Sequence, residues 1–136
     1  KVIATGGQVL NSAATLETYA TFPEERQRLI DAITKEKISG VLFLTGDRHH
    51  TELSVLPRGD STYALNDFTV SPLTSGLSTV QNEPNTLRAE GTFTREKNFA
   101  MMEVGGPLAN RAMTITIYSN RGKQLWSRTL KANDLK

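Results

Sequence analysis

The chain has 136 residues, 38% hydrophobic and 22% charged, which is ordinary globular usage and argues against disorder. Lys and Arg number 16 against 14 Asp and Glu, so the net charge of +2 is too near balance for an extended polybasic nucleic-acid surface. There is no cysteine, which excludes disulfides, Cys-based zinc sites and a thiol nucleophile within this chain, and no run approaches the ~18 apolar residues of a transmembrane segment.

The chain opens without Met on Lys1-Val2-Ile3-Ala4, and residues 2–5 read as a short strand broken by Gly6-Gly7. A start inside a strand leads to the expectation of a preceding N-terminal portion, which would also carry any targeting segment. Residues 6–20 are small and polar and read as loop. Thr21 and Glu24 fit a capping box, and Pro23 suits a first helical turn because its missing N–H would be unpaired there anyway. Leu29, Ile30 and Ile33 recur at helical spacing, so the pattern predicts a helix over roughly 23–37, ended by Ile38-Ser39-Gly40. The apolar run Val41-Leu42-Phe43-Leu44 is too short for a helix and fits a strand buried on both faces. Strand, helix, strand is a βαβ pattern. It puts Gly46-Asp47-Arg48-His49 at the carboxyl end of a central strand, where open α/β sheets bind ligands.

The remainder reads as β-structure. Leu53 and Val55 alternate within residues 51–56, and a phase slip between Leu65 and Phe68 predicts a bulge in the strand over 63–70. Residues 98–104 and 112–118 are further strands, the second with Met113, Ile115 and Ile117 on one face. Asn120-Arg121-Gly122 turns the chain into a last strand over 124–130, with Trp126 and Leu130 on one face, Trp126 serving for packing. The polar stretch from Pro72 to Glu96 is long for a structureless loop, a feature of functional or partner-covered segments. No repeat and no linker divides the chain.

The two histidines are adjacent, in Gly46-Asp47-Arg48-His49-His50-Thr51-Glu52. In extended backbone Asp47 and His49 would share a face, while Arg48 and His50 point elsewhere. A carboxylate oxygen beside an imidazole nitrogen makes half of a metal site, since a catalytic zinc takes about three protein ligands. The competing reading is a hydrogen-bonded turn in which Asp47 orients His49 or caps nearby N–H groups. On residue chemistry alone the two stand level.

The run Val41-Leu42-Phe43-Leu44-Thr45-Gly46-Asp47-Arg48-His49-His50-Thr51-Glu52-Leu53-Ser54 resembles the C-terminal metal motif of PhoD-like alkaline phosphatases, a branch of the calcineurin-like metallophosphoesterases. Lys1 to Gln8, Phe22 to Arg26, Thr69 to Gly76 and Gly122 to Trp126 are similar to that family's strand, helix start, turn and closing hairpin. The resemblance implies an α/β chain, a βαβ unit followed by antiparallel strands, forming the C-terminal half of a metallophosphoesterase-type sandwich. Residues 1–136 would then be the C-terminal part of one catalytic domain. The implied activity is hydrolysis of phosphomonoesters or phosphodiesters by two metal ions, calcium with iron, or zinc and manganese. Asp47 would sit on one metal and His49 on the other, with Asp47 standing where the wider superfamily has the first His of Gly-His-x-His. The superfamily's earlier Asp-x-His, Gly-Asp and Gly-Asn-His motifs lie N-terminal to the region this sequence resembles, so the site would need the N-terminal part of the protein, and this chain alone would be inactive. The family further implies a phosphate ester as substrate and a periplasmic or extracellular location.

Around that pair, His50 is a candidate proton donor to the leaving group, against a structural histidine. Arg48 is a candidate phosphate partner, against a structural ion pair. Glu52 is a candidate to accept an imidazole N–H and fix its tautomer, against a metal ligand. Ser71, Thr74 and Ser75 could line the site, and Gln8 or Asn11 could approach the metals through a carbonyl oxygen. Two other motifs are set aside. Gly6-Gly7-Gln8 matches the motif of translation release factors, but the near-neutral charge suits a ribosome binder poorly. His50-Thr51-Glu52 matches zinc deaminases, which need cysteines this chain lacks. The rival from another class is a non-catalytic β-rich binding module with Asp-x-His as a turn.

Overall fold

Alternating strand and helix in the first half, then a run of strands, give two sheets in the computed structural model, which describes residues 1–59, 62–80 and 82–136. The first sheet holds β1 (Val2–Ala4), β2 (Leu42–Thr45), β3 (Glu52–Leu56) and β4 (Leu65–Thr69), in the order β1-β2-β4-β3. β1, β2 and β4 run parallel and β3 is antiparallel to β4. The helix α1 (Pro23–Lys35) connects β1 to β2, completing the expected βαβ unit. The second sheet is antiparallel: β5 (Asn98–Gly105), β6 (Ala112–Ser119) and β7 (Gln124–Lys131) in sequence order. The expected α/β class is therefore what the chain adopts.

Strand alternation divides the core in two. Val41, Phe43 and Leu65 face α1 and pack with Val9, Leu10, Ile30, Ile33 and Tyr63. Leu42, Leu53 and Phe68 face the second sheet and pack with Ile115 and Ile117, joined by Met113, Trp126 and Leu130. The helix, the mixed sheet and the antiparallel sheet thus form three layers.

Two local expectations are corrected. Thr21 does not cap α1: the N-cap is Phe22, without a side-chain bond, and the Thr21 hydroxyl donates to the Thr18 carbonyl at 2.7 Å. The helix begins instead on Pro23, with Glu24 and Glu25 in its first turn, where the helix dipole favours them. No bulge interrupts β4, whose register is continuous with both β2 and β3. All five of its residues are buried, so polar Asn66, Asp67 and Thr69 sit inside and break the alternation that a half-exposed strand would show. The irregular register lies instead between Ile117 and Tyr118. Residues 6–20 form a loop with a short 3-10 turn at Tyr19–Thr21, yet Gln8, Val9, Leu10, Asn11 and Ala13 in it are buried.

The polar stretch after Pro72 lies against β3. Thr94 bridges to Thr51 and Arg88 to Ser54, while the Val55 amide donates to Leu87 and the Ala89 amide to Leu53, both at 2.8 Å. It thereby satisfies part of a sheet edge that would otherwise be open.

Candidate functional site

On the α1 face of the first sheet, alternation brings Thr45, Asp67, Thr69, Glu52 and Ser54 together near the carboxyl ends of β2 and β4. All are buried. Buried polar groups require partners, and two covering segments supply them. From the loop after β1, the Val9 and Leu10 amides donate to Asp67 Oδ2 at 2.8 and 2.9 Å, while Gln8 Nε2 donates to Glu52 Oε1 at 2.7 Å and Thr69 Oγ1 at 2.8 Å. From the stretch alongside β3, Asn85 Nδ2 reaches Glu52 Oε1 at 3.0 Å and Ser54 Oγ at 2.8 Å, and Arg88 Nε pairs with Glu52 Oε2. Thr45 donates to Asp67 Oδ1 at 2.7 Å.

The two carboxylates titrate in opposite directions. Burial alone would raise Glu52, but the contacts and positive charge of His50 and Arg88 outweigh it and hold Glu52 down at about 2, below its ordinary 4.5. Burial raises Asp67 despite the hydrogen bonds from Leu10, Thr45 and Val9, and the charge of Glu52 adds to that rise. Glu52 therefore contributes stability that is complete above about pH 4.5 and is lost as pH falls from there toward 2. Asp67 has the opposite sign, its contribution being lost as pH rises through its elevated value. A Glu52→Gln variant is expected to lose less stability than wild type between pH 4.5 and 2, read as the shift in urea midpoint across that window. An equal acid shift in both proteins would show that Glu52 does not carry the acid limb.

The turn that follows β2 is not extended. Asp47 and His49 both have left-handed backbone, with φ of 65° and 56°. The Arg48 amide donates to the Gly46 carbonyl at 2.8 Å, closing a three-residue turn about Asp47. Asp and His tolerate positive φ better than most side chains, but such residues still store about 1–3 kcal/mol each and gather at functional sites. The extended backbone expected here, on which Asp47 and His49 would share a face, is therefore not the one the chain adopts. Asp47 is exposed and His49 partly so, while Arg48 and His50 are buried.

Among the described residues, the Asp47 carboxylate makes no hydrogen bond. His49 Nε2 lies 3.4 Å from Ser75 Oγ, and its carbonyl accepts the Ser78 amide at 2.8 Å. Ser75, one of the three hydroxyl residues expected near the site, thus approaches it. Ser71 donates to the His50 carbonyl at 3.2 Å.

His50 is 1% exposed, with its ring 5.2 Å from Phe93. Its Nε2 stands 3.5 Å from Glu52 Oε1, close enough for ion pairing but not aligned as a hydrogen bond, so neither ring nitrogen has a hydrogen-bond partner among the described residues. Glu52 thus stands beside His50. Arg48 is buried against Glu83 and Gln8. Gln8 and Asn11 are buried too, with Gln8 Oε1 already accepting from Arg48 and Asn11. Sequence reasoning missed Glu83, Asn85 and Arg88, whose only signal was their place in the long polar stretch.

Two grooves lie away from this turn. One of about 380 Å³ runs between Val2, Leu42 and Met113, and another of about 450 Å³ lies between β1 and α1 with Gln8 in its lining. Neither is lined by Asp47 or His49. No cluster of three or more His, Cys, Asp or Glu residues placed to hold a metal occurs among the described residues. A family model described as PhoD-like phosphatase matches residues 4–115. No curated protein and no solved structure gives a significant match.

Proposed function

Because the chain belongs to the PhoD-like phosphatase family, we propose that its phosphoesterase-type function is metal-dependent hydrolysis of phosphate monoesters or diesters, with Asp47 and His49 as two of the metal ligands. The observation that carries this reading is the pair of left-handed residues at the carboxyl end of β2. A turn kept only for structure would use its Asp side chain to cap or brace. Asp47 does neither among the described residues and faces outward instead. The donor chemistry fits cations of the kind the family implies: the carboxylate suits a hard ion such as calcium, and the imidazole suits iron, zinc or manganese.

Two donors fall short of the about three that a catalytic zinc takes. In this reading the remaining ligands belong to polypeptide outside residues 1–136, these residues form the C-terminal part of the catalytic domain, and the chain alone is inactive. Bound metal would offset phosphate charge and supply a hydroxide nucleophile. Within this chain, Asp47 is exposed and His49 part-exposed. His50 is too enclosed in this arrangement to meet a leaving group directly, and its contact with Glu52 ties the strand after the turn to the polar layer. By family analogy the protein works in the periplasm or outside the cell.

The test uses the full-length protein, with p-nitrophenyl phosphate and its bis ester as substrates. Replacing Asp47 with Asn together with His49 with Ala is expected to remove turnover of both. Wild-type turnover in a folded double variant would refute the assignment and favour the binding-module alternative.

A further inference from the structure

Four buried side chains from three separate segments close a ring behind the turn. Arg48 Nη1 donates to Gln8 Oε1 at 2.7 Å, and Asn11 Nδ2 donates to the same oxygen at 2.8 Å. Arg48 Nη2 and Asn11 Nδ2 then meet the two carboxylate oxygens of Glu83. All four residues are buried, at 0% exposure for Gln8 and Asn11, 4% for Arg48 and 6% for Glu83. The ring joins the loop after β1, the turn after β2 and the stretch alongside β3.

Its place in the chain gives it a consequence. Arg48 is the residue between Asp47 and His49, the two with positive φ. The turn has few bonds of its own: Gly46 amide to Gly6 carbonyl at 3.0 Å, the Arg48–Gly46 bond, and Ser78 amide to His49 carbonyl. A strained backbone persists only where its surroundings over-determine it. Arg48 is buried between an exposed Asp47 and a part-exposed His49. Glu83 takes one guanidinium nitrogen of Arg48 and Gln8 takes another, so two of the donors a phosphate would need are already engaged, and a buried charge-assisted hydrogen bond of this kind is strong.

We propose that Glu83, acting through Arg48, is a positioning residue that sets the orientation of the Asp47 and His49 side chains. The proposal rests on the metal-ligand reading above. It assigns Arg48 to holding the turn rather than to binding phosphate.

The test compares wild-type full-length protein with Glu83→Gln and Arg48→Lys. Gln lacks the charge, and Lys cannot span Gln8 and Glu83 together. Three quantities are measured: Mn²⁺ affinity by electron paramagnetic resonance titration, amide exchange in peptides covering 46–50 and 76–80, and the melting temperature. Each variant is expected to bind Mn²⁺ about 10–100-fold more weakly, with faster exchange in those two peptides and unchanged exchange in α1. Unchanged Mn²⁺ affinity in either folded variant overturns the proposal. Global loss of protection in both variants also overturns it, since the ring would then be a folding element. Asp47→Ala is the control for the premise: wild-type Mn²⁺ affinity there defeats the ligand reading, and the exchange data alone then decide whether Glu83 holds the turn.

Discussion

Replacing Asp47 with Gly is expected to lower phosphate ester turnover of the full-length protein by more than about 100-fold while leaving its melting temperature unchanged or raised. The loss should exceed the 10–100-fold that follows when a partner of a metal ligand is removed, because here the ligand itself goes. Stability follows from the backbone. Asp47 has φ of 65°, and its carboxylate makes no hydrogen bond among the described residues. Glycine enters that region without a Cβ penalty, though it also gains entropy in the unfolded chain, so the net gain lies between zero and about 1 kcal/mol. A purely structural Asp-x-His turn predicts the reverse, a fall in melting temperature from the lost cap. Measuring both quantities on one preparation separates the two.

The second large effect concerns Glu52. Replacing it with Ala is expected to destabilise the protein by about 3–5 kcal/mol, the usual consequence of removing one partner of a buried ion pair. Glu52 is fully buried and accepts from Gln8, Asn85 and Arg88, with His50 at 3.5 Å. The truncation leaves the Arg88 guanidinium and the buried amide donors of Gln8 and Asn85 without the carboxylate they meet. Glu52→Gln keeps an acceptor and should lose less. Urea unfolding at pH 7 measures both variants. A loss below about 1 kcal/mol for Glu52→Ala, the worth of an exposed pair, would mean that the polar layer is not cooperative.

Much of the architecture was legible because it depends on local patterns. The spacing of Leu29, Ile30 and Ile33 located α1, and the apolar run from Val41 located β2 between two packed layers. Trp126 and Leu130 fall on one face and pack as the alternation required. What escaped depends on partners distant in sequence. Gln8 and Asn11 look like loop residues until their partners Glu52 and Glu83, 44 and 72 positions away, are known. Asp67 disrupts the alternation of β4 and mimics a bulge, because a buried, hydrogen-bonded carboxylate cannot be told from an exposed one by periodicity.

At the candidate site, the pairing of Asp47 with His49 was read from an extended backbone. The chain instead has two positive φ angles there, which no spacing rule predicts, with Asp47 exposed, His49 part-exposed and Arg48 and His50 buried. Glu52, a candidate acceptor for an imidazole N–H, accepts instead from Gln8, Asn85 and Arg88, with the His50 ring 3.5 Å away and not hydrogen-bonded to it. Arg48 offered two roles in sequence, and the decisive fact was the position of Glu83, 35 residues later.

The claim that Asp47 and His49 hold metal is tested most directly by the metal-to-protein ratio of the purified full-length protein after exhaustive dialysis, determined by elemental analysis. The expected result is about two metal ions per wild-type chain and a clear deficit in the folded Asp47→Asn, His49→Ala double variant. An unchanged ratio in that variant, or a wild-type protein without stoichiometric metal after growth with iron, calcium, zinc and manganese, would contradict it.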